Sequence, residues 1–165
     1  ALNPCPCGWA GSPVHPCRCT EAQLQRYQSR LSGPLLDRID IQIELQPLPS
    51  QLLRGLSRGE PTEVVQARVA GARLRQSERF RGLLHLTNAS VPMSTLRERM
   101  PLADGVHDVL LHAMASFGLS PRAHDRIWRV AATIADLDSA AVVGVEHIAE
   151  ALQYRRFDRI VVGSH

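Results

Sequence analysis

Between Leu31 and Ile41 the chain reads Leu-Ser-Gly-Pro-Leu-Leu-Asp-Arg-Ile-Asp-Ile. One guanidinium, Arg38, stands between Asp37 and Asp40 in an apolar segment that turns directly into a strand pattern. Apolar flanks would hold that charge at a fixed place on the surface. A fixed arginine beside carboxylates is the kind of group that reaches across to a phosphate. The same residues also suit an internal Asp–Arg salt bridge at a strand entrance. These eleven residues alone leave both open.

All four cysteines fall between positions 5 and 19. Cys5-Pro-Cys7 and Cys17-Arg-Cys19 are two Cys-x-Cys hooks with nine residues between them. Such clustering, with no secretory leader, argues for a metal and against a disulfide scaffold. Zinc takes four soft or borderline ligands in a tetrahedron, and two hooks from one loop can supply them. Gly8, Gly11 and the prolines permit the sharp turns. Structural zinc hooks more often have two intervening residues, and His15 is a possible substitute ligand. Four cysteine ligands leave no open position, so the site reads as structural rather than catalytic.

Two further polar residues sit where ligands are bound. Asn3 follows a short apolar stub, and the carboxyl edge of a strand is where open α/β sheets hold their ligands. Asn-Pro is also an ordinary turn signal. Arg122 falls in the first turn of a helix capped by Ser120. A cation there opposes the helix dipole at a cost of a few tenths of a kcal/mol. Together with the free N–H groups it could grip a phosphate. Arg126 and Arg129 continue the same face and also read as a solvated stripe. His107, His112, His124 and His147 show no ligand spacing and read as surface or semi-buried. The sequence has no phosphate-binding loop, no nucleophile elbow and no dinucleotide fingerprint, so it holds no complete active site of its own.

The composition suits these elements. Hydrophobic residues make up 44% of 165, enough for a core in one compact domain or a domain plus a fragment. No apolar run approaches the roughly 20 residues that span a bilayer. With no leader either, the expected location is cytoplasmic. All 19 basic residues are arginine, which favours bidentate phosphate contacts, but a net charge of +3 does not by itself argue for nucleic acid. The first residue is Ala1, which suggests a truncated piece.

Ala1-Leu2 reads as the stub of a strand, and residues 3–19 as a loop. Thr20, with Gln23 three residues on, forms a capping box for a helix bearing Leu24, Tyr27 and Leu31. Gly33 and Pro34 stop it, and Pro34 can open a short helical turn through Arg38. Ile39, Ile41, Ile43 and Leu45 alternate with polar residues as in a strand with one buried face, ended by Pro47 and Pro49. One strand and a stub cannot make a sheet, so residues 1–47 read as the tail of a larger α/β domain.

From Pro61 onward the pattern is helical. Pro61 opens a helix whose core stripe is Val65, Val69 and Ala72, running toward Phe80; Arg68, Arg75 and Arg79 share another face. Ser94 and Asp104 are candidate caps for the next two helices. Val106, Val109, Leu110, Ala113 and Phe117 point inward, and Gly118 is the stop. Ser120-Pro121 is the strongest helix start, with Ile127, Val130, Ile134 and Leu137 buried. A last helix runs from about Val145 to Arg156, and the end from Phe157 is expected to fray. Four or five helices with short joints make a small bundle.

These motifs together resemble the magnesium-chelatase-like AAA+ proteins of bacteria, and among them the ComM (YifB) group. The residues that carry the resemblance are Asn3-Pro4-Cys5-Pro6-Cys7-Gly8, Cys17-Arg18-Cys19, Tyr27, Arg30 through Asp40, Ser120-Pro121-Arg122-Ala123, Ala135-Asp136-Leu137 and His147 through Arg155. The resemblance implies a mainly α chain: a helical AAA+ lid over residues 48–165, preceded over 1–47 by the C-terminal part of an α/β core with a zinc-type loop. It implies that Asn3 is the sensor-1 residue orienting the attacking water. It also implies that Arg38 is an arginine finger acting on a neighbouring subunit's ATP, and Arg122 a sensor-2 residue at the γ-phosphate. Cys5, Cys7, Cys17 and Cys19 would hold zinc. ATP and Mg, a ring that is expected to be a hexamer, DNA as partner and no membrane complete the implied picture. An ATPase subunit of a magnesium chelatase and a non-enzymatic, zinc-containing nucleic-acid-binding module are the alternatives. The phosphate loop and Mg-binding acids would lie upstream of Ala1, so this chain alone is expected to be inactive.

Overall fold

The computed structural model describes residues 1–30, 33–36, 38–45 and 59–155. Leu31, Ser32, Asp37, the proline-bounded strand end and the expected fray after Arg156 lie outside the described residues. Among the described residues there are seven helices and no β-strand. One isolated parallel bridge joins Leu102 to Val143.

The first helix, α1 (Glu21–Gln28), starts as the sequence dictates. Thr20 Oγ1 accepts from the Gln23 N–H at 3.3 Å, and the Gln23 side chain accepts from the Thr20 N–H at 2.9 Å. It stops earlier than predicted, at Gln28, with Ser29 as C-cap. The Ser29 hydroxyl donates to the Arg26 carbonyl at 3.0 Å, a local bond that competes with helix continuation. No residue of α1 is buried. A four-residue turn of helix, α2 (Gly33–Leu36), precedes Arg38.

The predicted strand at 39–45 is not formed, nor is the stub at Ala1-Leu2. Ile39, Ile41, Ile43 and Leu45 are exposed, and Gln42 is the buried residue. Burial does not alternate along the segment, since Asp40 and Glu44 are exposed as well. A ladder needs a partner strand, and none stands beside this segment among the described residues. Its hydrogen bonds go to helices instead. The Gln42 N–H donates to the Tyr154 carbonyl at 2.8 Å, and Gln42 Nε2 to the Leu36 carbonyl at 3.3 Å.

The bundle is built from α3 (Thr62–Arg79), α4 (Met93–Arg99), α5 (Val106–Phe117), α6 (Pro121–Leu137) and α7 (Val145–Gln153). Its centre is α6, which packs against α3 and α7. Ser120 caps it by accepting from the Ala123 N–H, with Pro121 in the first turn, as the sequence predicts. Ala123, Ala131, Ala132 and Ala135 are buried along it, and such small side chains let neighbouring helices approach closely. Around them close Phe80, Val91, Leu96, Met100, Val106, Leu110, Ile127, Val143 and Ile148. Each large one of these contributes about 1.5–3 kcal/mol by leaving water.

Several expected positions differ. Val65 and Val69 are exposed, and α3 meets the core only from Ala72 and Gln76 onward. Pro61 is the residue before α3 rather than its first. Ser94 lies inside α4, whose N-cap is Pro92. The cap of α5 is Gly105 rather than Asp104, because its left-handed φ of 74° suits glycine. Val109 and Leu137 face solvent, and His147 is buried. His147 earns its place by accepting from the Gly144 N–H through Nδ1 at 2.8 Å, which closes the start of α7.

Candidate functional site

The cysteine loop folds around its sulfurs. The Gly8 N–H donates to the Cys5 carbonyl at 3.0 Å, and Gly8 takes φ 82°, so the chain reverses after the first hook. The Ala10 N–H donates to Cys5 Sγ at 3.3 Å. All four sulfurs lie within 4.8 Å of one another. Cys5–Cys7, Cys5–Cys17 and Cys7–Cys17 are separated by 3.4, 3.8 and 3.6 Å. Four sulfurs at about 2.3 Å from one tetrahedral ion would stand about 3.8 Å apart, so the donor set fits a single metal. The distances are too long for disulfides, and all four thiols are free. His15 is not part of the cluster; its ring packs edge-on against Trp9 at 4.3 Å.

The protons of the four thiols are unequally held. The Arg18 and Trp9 N–H groups stabilise the Cys7 thiolate and bring its pKa down to about 6. Burial and the Cys7 thiol push Cys5 up, yet the Ala10 N–H and the bonds with Cys17 and Cys7 leave it lowered. The Cys19 N–H pulls Cys17 down, but burial and its thiol neighbours raise it. Burial pushes Cys19 up to about 12, and the other three thiols add to the effect. Adjacent thiolates repel, so the last protons are retained until a cation supplies compensating charge.

Asn3, Arg38 and Arg122 are all exposed, and none has a side-chain hydrogen bond or ion pair among the described residues. No hydrogen bond or ion pair among the described residues joins their side chains to one another. Arg122 is the second residue of α6, as expected. Arg38 follows α2 on a tight turn, its N–H donating to the Leu35 carbonyl and that of Ile39 to the Leu36 carbonyl, each at 3.0 Å. Asp40 does not hold Arg38; it pairs with Arg126 of α6. The internal Asp40–Arg38 bridge that local sequence allowed is therefore replaced by a tertiary one.

On the two arginine faces, Arg129 and Arg79 are tied into the structure. Arg129 donates to the Asn88 carbonyl and, at 2.9 Å, to the Val91 carbonyl. Arg79 forks onto Asp136, which is fully buried, and Asn88 Nδ2 donates to the same carboxylate at 2.8 Å. Sequence reasoning quoted Asp136 only as part of a motif, without foreseeing its buried pairing, and did not single out Asn88. The available signal was an aspartate on the apolar face of α6, which requires a buried partner.

Among the described residues, α3 to α7 thus form a helical domain, preceded by a four-thiol loop and by an arginine turn docked on that domain. It belongs to the magnesium chelatase subunit ChlI family. The family description "Magnesium chelatase, subunit ChlI C-terminal" matches residues 59–155, and "Magnesium chelatase, subunit ChlI" matches residues 1–53. Uncharacterized protein YifB of Escherichia coli is 38% identical over 98% of the chain and 31% of its own length. Uncharacterized protein Rv2897c of Mycobacterium tuberculosis is 37% identical over 94% of the chain and 30% of its own length. Competence protein ComM of Haemophilus influenzae is 37% identical over 98% of the chain and 31% of its own length. The chain therefore spans about a third of these relatives. Among the described residues no helix is long and apolar enough to cross a membrane.

Proposed function

We propose that the chain is the C-terminal portion of an ATP-dependent AAA+ motor that remodels DNA, of the ComM branch-migration type, working in the cytoplasm. Residues 1–47 would end the α/β core and 48–165 form the lid. The observation that carries this is Arg38, an exposed arginine without a partner among the described residues, on a turn anchored to the helical domain. An arginine presented outward and held by its backbone suits a phosphate on another subunit of a ring, here a hexamer. Arg122, at the start of α6, would contact the γ-phosphate. Asn3 would orient the attacking water. ATP with Mg supplies the bond to be broken and the charge these groups neutralise.

Two measurements test the reading. In the full-length protein, ATP turnover should rise several-fold with branched or single-stranded DNA. The family description favours a second reading, an ATPase subunit of a magnesium chelatase. ATP turnover indifferent to DNA would replace the first reading by that one, and absence of turnover would sink both. The present chain alone should show negligible turnover.

Cys5, Cys7, Cys17 and Cys19 would hold a structural zinc, whose role is to fix the loop. Elemental analysis of reduced, metal-replete protein should find zinc at one ion per chain. Metal-free protein at neutral pH should be alkylated first at Cys7, which with a pKa of about 6 is mostly thiolate there. Zinc should protect all four thiols and should leave on acidification, because protons compete for the sulfurs. A metal-replete sample without zinc would remove the assignment.

A further inference from the structure

The turn that carries Arg38 is tied to the helical domain at three successive points. The Ile39 carbonyl accepts from Arg155 Nη1 at 2.7 Å, and Arg155 is 2% exposed. The Asp40 carboxylate pairs with Arg126. The Gln42 N–H donates to the Tyr154 carbonyl at 2.8 Å. Two of these holders lie at the end of α7, and the third lies on α6, four residues after Arg122.

We propose that Arg126 and Arg155 are positioning residues for Arg38, and that α6 couples the two phosphate-directed arginines. This rests on the reading above, in which Arg38 and Arg122 act on ATP. Residues four apart share one helix face, so Arg122 and Arg126 move as one unit with α6. Ala123 and Ile127 beside them are buried in the core, which leaves the helix little freedom to shift independently. The Arg126–Asp40 pair therefore ties the turn, two residues from Arg38, to the helix that carries Arg122.

Stability does not account for the Arg126–Asp40 pair. The side chains are 30% and 55% exposed, and ion pairs of that exposure add little to folding. What the pair supplies is geometry. A misplacement of about 1 Å in a catalytic group can cost about 100-fold in rate.

The test uses the full-length protein with ATP as the probe. Arg126→Ala and Asp40→Ala should each lower kcat by about 10–100-fold, with KM for ATP and the thermal midpoint nearly unchanged. The reciprocal exchange, Arg126→Asp with Asp40→Arg, should restore most of the loss. Neither alanine variant should lower turnover further once Arg38 is alanine, since there is then no finger to place. Unchanged kcat in both single variants overturns the coupling, as does an exchange variant no better than the singles. A fall that appears in KM rather than kcat also overturns it, because it places the defect in ATP binding and not in the placement of the finger. If Arg38→Ala itself turns over normally, the finger reading fails and the coupling falls with it, an outcome distinct from failure of the coupling alone.

Discussion

Arg38→Ala in the full-length protein is expected to cut ATP turnover by about 10³-fold or more while leaving ATP binding intact. The size follows from what phosphoryl transfer requires. The transition state spreads negative charge over the transferred group, and a guanidinium delivered to it is worth about 10³–10⁵ in rate. The structure separates that effect from stability. The Arg38 side chain is exposed, and among the described residues it holds nothing together. The turn is instead fixed by backbone bonds at 38, 39 and 42 and by the Asp40–Arg126 pair, all of which survive the substitution. Exposed substitutions of this kind shift stability by about 0.5 kcal/mol or less. Saturating turnover, equilibrium nucleotide binding and the thermal midpoint, measured on one preparation, should give a large fall in the first alone. Arg38→Lys should recover only part of the loss, because an ammonium keeps the charge but not the planar fork. Normal turnover in the alanine variant would make Arg38 a surface residue with no role in hydrolysis.

Local chemistry was legible in the sequence, and distant pairing was not. The capping box at Thr20 and Gln23 and the Ser120-Pro121 start of α6 depend on atoms three residues apart, so residue type and spacing suffice to place them. The two cysteine hooks belong to the same class: their spacing told of four convergent sulfurs, and the sulfurs converge. The segment at 39–45 shows where this stops. Its sequence alternates with a period of two, but which side chain is covered depends on what lies beside it, and Gln42 rather than the isoleucines turned inward. The charged residues show it again. Nothing local tells that Asp40 is paired to an arginine 86 residues on rather than to Arg38 two residues before it. Arg129 likewise looked solvated, and Arg79 had no visible partner, because their acceptors, the carbonyls of Asn88 and Val91 and the Asp136 carboxylate, are supplied by other parts of the chain.

The residue that shows this most clearly should also be the most sensitive to substitution. Asp136→Ala is expected to destabilise the helical domain by about 3–5 kcal/mol, the loss typical of breaking a buried ion pair from one side. Asp136 is fully buried, and its carboxylate takes two bonds from Arg79 and one from Asn88 Nδ2. Removing it leaves a guanidinium only 14% exposed with a 3.3 Å bond to Asn88 Oδ1 in place of its ion pair, and leaves the buried Asn88 amide with Thr133 Oγ1 at 3.2 Å. Neither can regain water without opening the contact between α3 and α6. Domains of this size are stable by about 5–15 kcal/mol, so the loss is a large share of the total. At about 4–8 °C per kcal/mol, the thermal midpoint should fall by at least 12 °C or so. Asp136→Asn should cost less, because an amide oxygen can still accept from one of the two donors. Leu137→Ala, at the neighbouring solvent-facing position, should be nearly neutral and serves as the control. Urea unfolding of the three variants reads all of this directly, and a loss below about 1 kcal/mol for Asp136→Ala would show that Arg79 and Asn88 find other partners. The consequence reaches beyond stability. Asp136 lies on the same helix as Arg122 and Arg126, and Arg79 ties α3 to that helix. In Asp136→Asn protein that remains folded, α6 is held less firmly, so turnover should fall further than the fraction unfolded explains.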